Sequence, residues 1–168
     1  MKKKSHLLVA TLCLLMVGVS SCSSNDDNIC IEDYVVSTVN VDNEISSFLN
    51  SQCAISKDTG NDRFFPFSDK DECYIVNNES EFRAIYVGED NVPSINYDNY
   101  SLLIGRIKVP HTGYHIDKIT LIKQNKLILD INVCENEAGY TAITNLYFWG
   151  FYHKLPTLPL ETNIIITN

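Results

Sequence analysis

The stretch Ile119-Thr120-Leu121-Ile122-Lys123-Gln124-Asn125-Lys126-Leu127-Ile128-Leu129-Asp130-Ile131-Asn132-Val133 decides the fold class. Ile119 and Leu121 alternate with polar neighbours, and Leu127, Leu129, Ile131 and Val133 recur at every second position with Asp130 and Asn132 between them. A period of two belongs to a strand with one buried face. Gln124-Asn125 supplies a polar turn between the two halves, so the stretch reads as a β-hairpin.

Similar patterning extends in both directions. Upstream, Leu103, Gly105, Ile107 and Val109 alternate with Arg106 and Lys108, which predicts a strand over 100–109 with one wet face. Downstream, an aromatic-rich strand is expected from about Tyr140 to Tyr152, then a loop holding Pro156 and Pro159, then a last strand at 163–167. Nearer the N-terminus, 73–77 reads as a short strand, and Ser80 precedes a short helix with Phe82, Ile85 and Tyr86 on one face. Residues 43–53 form a second helix through Ile45, Phe48 and Leu49, capped by Asp42 or Asn43. A weakly alternating strand precedes it at 32–41. The polar run 56–71 is a loop attached to the core by Phe64, Phe65 and Phe67. The expectation is a β-dominated α+β fold: one domain over residues 31–168, a mostly antiparallel sheet and one or two short helices.

Residues 1–30 do not belong to that domain. Lys2, Lys3 and Lys4 precede an apolar run from Leu7 to Val19, too short for a comfortable membrane span, and small residues follow it. Val19-Ser20-Ser21-Cys22 resembles the lipobox of bacterial lipoproteins. The resemblance implies that residues 1–21 are an export signal and that Cys22 becomes a lipidated first residue, carrying acyl chains such as palmitate. Each buried methylene contributes about 0.8 kcal/mol to such an anchor. Residues 22–30 then form an acidic, apolar-poor tether. Acidic residues behind the lipid cysteine resemble the surface-export signal of Bacteroidetes lipoproteins, so the outer membrane is expected, on its periplasmic face or at the cell surface.

Removing Lys2, Lys3 and Lys4 lowers the basic count from 13 to ten against 21 acidic side chains, a formal charge near −11 for residues 22–168. Phosphates would be repelled, which argues against a nucleic-acid partner. Anionic headgroups would be repelled too, so the lipid is what holds the protein to its membrane. With Cys13 in the signal and Cys22 lipidated, Cys30, Cys53, Cys73 and Cys134 remain. An even set outside the cytoplasm favours disulfides, with three connectivities open. We expect Cys30–Cys53 and Cys73–Cys134. No pair has C-x-x-C spacing, which speaks against zinc.

Catalytic signatures are lacking: there is no G-x-S-x-G, phosphate-cradling glycine run or H-E-x-x-H. His111 and His115 have the i, i+4 spacing of helical metal ligands, yet Pro110 and Gly113 make that stretch a loop. Asp69, Asp71 and Glu72 read as a solvated run, and Glu135–Glu137 beside Gly139 as a bulge or turn. No catalytic role, metal or cofactor is assigned, and a binding role is expected. Its candidate contacts are the loop His111, Thr112, Gly113 and Tyr114, together with Phe148 and Tyr152 as an exposed aromatic pair. Tyr147, Trp149 and Phe151 would line the core from the other face of that strand. Tyr147 and Trp149 exposed on a flat platform would instead favour glycan binding, whereas a projecting 112–114 loop would favour a protein partner.

The run 97–155 resembles the C-terminal domain of PrcB-like protease-complex-stabilising lipoproteins. The shared features are the 100–109 strand, the Thr112-Gly113-Tyr114 loop, Ile116 to Leu121, the return strand 127–133, and an aromatic strand ending in Lys154-Leu155-Pro156. His111 stands where that family often has a small residue. The resemblance implies a non-catalytic lipoprotein that binds and stabilises a secreted or surface protease. Thr112-Gly113-Tyr114 is also similar to the N-P-T-T-G-Y loop of chagasin-like cysteine-protease inhibitors, with Ile116 at the position of their tryptophan.

Overall fold

The computed structural model describes residues 34–54, 63–65, 70–135 and 143–167. The expected signal 1–21, Cys22, the tether 22–30, Cys30, Phe67, Asp69 and 136–142 lie outside them. Eight strands and two helices follow in the order β1 (Tyr34–Val36), β2 (Thr38–Val39), α1 (Asn43–Ala54), β3 (Glu72–Val76), α2 (Glu79–Ile85), β4 (Tyr100–Val109), β5 (Tyr114–Lys123), β6 (Leu127–Glu135), β7 (Thr144–His153) and β8 (Leu160–Thr167). The protein is a β-dominated α+β domain.

Instead of one sheet there are two, each of four strands, ordered β1-β5-β6-β8 and β2-β7-β4-β3. Every pairing is antiparallel except β6 with β8. That parallel pair arises because the chain leaves β6 for the other sheet, forms β7, and returns. The hairpin read from the sequence is β5–β6, with Lys123 opposite Leu127.

The layers explain the burial. Leu103, Ile107 and Val109 of β4 and Phe148 and Tyr152 of β7 face the first sheet, meeting Leu121, Leu127, Leu129, Ile131 and Val133. Leu102 and Ile104 of β4 and Phe151 of β7 face the helices, meeting Leu49, Phe64, Phe82 and Tyr86. β4 is therefore covered on both sides, and the expected wet face does not exist. Arg106 is 1 % exposed: its guanidinium donates to the carbonyls of Phe65 and Lys70, each at 3.3 Å, and lies 5.8 Å over the Phe65 ring. Only Lys108 of that pair reaches water.

Local chemistry sets the ends of the elements. Glu44 N–H donates to Asp42 Oδ1 at 3.4 Å, as expected for the α1 start. The α2 cap is Asn78, and Ser80, expected ahead of the helix, lies inside its first turn. Asn78 Oδ1 accepts from Glu81 N–H at 2.9 Å, while Glu81 Oε2 accepts from Asn77 N–H at 2.6 Å, a reciprocal arrangement of capping-box type. In β5 the pairing register shifts between Ile116 and Lys118. This bulge moves the inward phase from Tyr114 and Ile116 to Ile119 and Leu121, so both ends of the strand reach the same core. Gly105 lies opposite Phe148, whose ring occupies the space a Cβ would fill: a Cβ there would sit 2.3 Å from Phe148 Cζ.

Candidate functional site

The loop joining β4 to β5 passes from one sheet to the other, and the polar atoms of its neighbours brace it. Gly113 N–H donates to His111 Nδ1 at 3.1 Å, and His111 Nε2 stands 3.0 Å from Glu135 Oε1 at the end of β6. With Nδ1 accepting, Nε2 is the nitrogen that carries the proton donated to Glu135. The rings of His111 and Tyr114 lie with centroids 4.4 Å apart. The Tyr114 phenol is held above its ordinary value, first by desolvation and then by the charge and hydrogen bond of Glu135. Thr112 is exposed at the tip. His111, Gly113 and Tyr114 thus brace one another with Glu135 as their anchor, and Thr112 lies between them at the tip. Glu135 was read from the sequence only as part of a turn, because nothing in a linear pattern tells which carboxylate a loop histidine will meet.

Phe148 and Tyr152 do not belong to this surface. They are 6 % and 2 % exposed and fill the space between the sheets, so the expected aromatic patch is corrected to core. The reason lies in the double layer: with sheet on one side and helices on the other, β7 has no free face in its middle. Tyr147 and Trp149 pack against the helix-side core, with Trp149 Nε1–H donating to Asn50 of α1 at 3.0 Å. Both are half-buried rather than laid open on the surface. The Lys154-Leu155 motif also serves the fold. Lys154 Nζ donates to the carbonyls of Asn77 (2.8 Å) and Tyr97 (2.5 Å), and Leu155 N–H donates to the buried Ser101 hydroxyl at 2.8 Å.

The expected Cys73–Cys134 bridge is overturned. Both are free thiols, on different sheets. Cys73 lies beside Thr162, whereas Cys134 Sγ is 3.0 Å from Thr167 Oγ1. Five residues of strand separate those contacts, about 16 Å, and a disulfide needs Cα atoms within about 7 Å. Cys53 is likewise a free thiol, contrary to the expected bridge to Cys30, which lies outside the described residues. Burial pushes the Cys53 thiol up to about 12 and the Cys73 thiol up to about 11, so both stay protonated at neutral pH. A thiol in that state is a poor nucleophile.

His115 follows Tyr114 on β5 and by alternation faces away from it, so His111 and His115 do not converge. Among the described residues, no group of three or more His, Cys, Asp or Glu side chains is placed to hold a metal ion. Two clefts remain. One, of 290 Å³, lies between the start of α1 and residues 94–96, with Tyr100 and Phe151 in its lining. The other, of 370 Å³, runs between the edges of β3 and β8 and is lined by Asp71, Glu72, Cys73, Tyr74, Thr162 and Ile164.

No family model matches the chain, and neither a curated protein nor a solved structure matches it.

Proposed function

We propose that this chain is a lipid-anchored, non-catalytic protein of the cell envelope that binds another protein, an extracytoplasmic protease, through its 110–114 loop. The observation that carries the reading is the brace on that loop. His111, Gly113, Tyr114 and Glu135 hold one another, so the exposed Thr112 is presented by a preformed turn. A preformed loop loses little conformational entropy on binding, and an aromatic beside an exposed tip is the kind of residue that dominates protein contacts. The packing of Tyr147 and Trp149 against the helix-side core, with Trp149 tied to Asn50 of α1, favours a protein partner over a glycan. The lipobox-like Val19-Ser20-Ser21-Cys22 supports the anchor.

Two measurements test this. Changing Cys22 to Ala should move the protein from the membrane fraction to the soluble one; retention at the membrane defeats the anchor. Tyr114→Ala should weaken capture of a protease encoded beside this gene by ten-fold or more, and an unchanged pull-down removes the loop. Protease half-life and turnover, with and without this protein, separate stabilisation from the chagasin-like alternative. Stabilisation lengthens the half-life with turnover intact, whereas inhibition lowers turnover.

A further inference from the structure

We infer that β8 is a second docking element, an open sheet edge that accepts an extended polypeptide segment alternating basic and apolar side chains. Among the described residues the strand is paired only through β6, so every second residue turns its N–H and C=O away from the sheet. Its middle is apolar: Ile164, Ile165 and Ile166 are 37 %, 43 % and 50 % exposed. Proteins usually blunt such an edge with lysine, proline, a bulge or very short length. The other edge strands are short, since β1 and β2 have only three and two residues and β3 has five, preceded by Asp71 and beginning at Glu72. Among the described residues β1 and β2 leave 114–120 of β5 and 144–150 of β7 unpaired on that side, but neither stretch holds three consecutive exposed isoleucines as β8 does. β8 is eight residues long, and its single charge, Glu161, is engaged by Lys126. An edge kept long, apolar and free of devices against pairing is suited to receiving a strand by β-augmentation.

The chemistry of the occupant follows from the groove beside the edge. Thr162 and Ile164 share the inward phase of the sheet with Leu129 and Ile131, and they face Cys73 and the acidic lip of Asp71 and Glu72 across 370 Å³. Asp71 already accepts from Lys108 N–H at 2.7 Å, and Glu72 accepts from the Tyr74 hydroxyl at 2.5 Å. A carboxylate has room for further donors. A strand laid along β8 would send alternate side chains over this groove and the others beside Ile165. Long basic side chains suit the first set, because their stems can lie on Ile164 while their heads reach Asp71 and Glu72. Short apolar ones suit the second. A second copy of this chain fits less well, since antiparallel pairing of two β8 strands brings two acidic lips towards each other in a molecule already of net charge −8.

The edge also adjoins the loop. Tyr114 is opposite Glu135, and the neighbouring Cys134 is opposite Thr167, so the loop and the end of β8 sit two strand spacings apart, about 10 Å. A partner gripping one can reach the other. The inference rests on the proposed protein partner for its biological meaning, but its test uses peptides alone, so the two readings can fail separately.

The test is fluorescence anisotropy with the full chain in detergent and a ten-residue peptide of alternating valine and lysine. A valine–glutamate peptide is the charge control. Two further probes are the lysine peptide N-methylated on every lysine or on every valine. The expected result is binding at least ten-fold tighter than the glutamate peptide, with one N-methylated phase losing ten-fold or more and the other binding like the parent. The pair Asp71→Asn with Glu72→Gln should also cost about ten-fold; if it fails to fold, the two methylated probes decide on the unaltered chain. Equal binding by both methylated phases would mean charge attraction without strand pairing, and overturns the inference. So does no binding, or sedimentation showing a dimer that Ile165→Lys on β8 returns to the monomer.

Discussion

The two cores of this protein are built from different materials. Between the sheets the packing is mostly aliphatic, drawn from Leu103, Ile107, Leu127, Leu129, Ile131 and Val133 at strict alternation. Between the sheet and the helices it is aromatic: Phe64 touches Phe82 edge-on at 5.9 Å and Tyr86 at 4.9 Å, and Phe48 meets Tyr86 at 5.5 Å. The aliphatic layer is held by long ladders with ten residue pairs between β4 and β7. The aromatic layer joins a twelve-residue helix, a seven-residue helix and a loop, and leans on polar hooks such as the Tyr86 hydroxyl donating to Asp90 at 3.1 Å. Regular strands can fill a layer with small branched side chains. A layer assembled from short, irregular pieces uses fewer and larger ones.

If that difference matters, mutations should part the two layers. The largest effect is expected for Phe82→Ala, which empties a fully buried site in the aromatic layer and should cost about 3–5 kcal/mol. Hydrogen exchange should show protection lost first in α1 and α2 while β5 and β6 keep theirs; uniform loss would merge the two cores into one unit. Leu129→Ala should cost about 2–5 kcal/mol by denaturant melting and should lower protection throughout both sheets. Gly105→Ala is smaller, about 1–3 kcal/mol, because the new methyl meets the Phe148 ring and the Glu72 carbonyl. Adding Phe148→Leu should recover part of that cost, and a strictly additive double mutant breaks the account.

The gentlest probe is pH. Cys53 sits in the aromatic layer with its thiol raised from 9.0 to about 12 by burial. The unfolded chain therefore gives up that proton before the folded one does. Stability is intact below pH 9 and falls as pH rises towards the folded value, by about 1.4 kcal/mol per unit at most. Cys53→Ala should lessen the alkaline slope of the melting temperature relative to the unaltered chain, and identical slopes would remove Cys53 as a cause.

The same contrast explains what could be read from the residues alone. Period-two alternation made 100–109 and the hairpin visible, since Leu127 to Val133 mark one face without ambiguity. The aromatic layer was harder: Phe64 and Phe65 could be assigned to the core, but not the φ of 56° at Phe65 or the Arg106 guanidinium that holds its carbonyl. The second sheet was invisible because alternation reports one buried face and is silent on what covers the other. That is why Arg106 was expected in water and Phe148 and Tyr152 on the surface. Of the candidate site, the loop was legible from Pro110 and Gly113, whereas Glu135 is distant in sequence and the β8 edge depends on which strand ends a sheet.

β1 and β2 are separated by Ser37 alone, yet one pairs with β5 and the other with β7. This short strap is stitched to both sheets at once. Tension arriving ahead of Tyr34 would meet it before any long strand. The strap would peel first and bare the flanks of β5 and β7 together, making it the mechanical fuse of the fold.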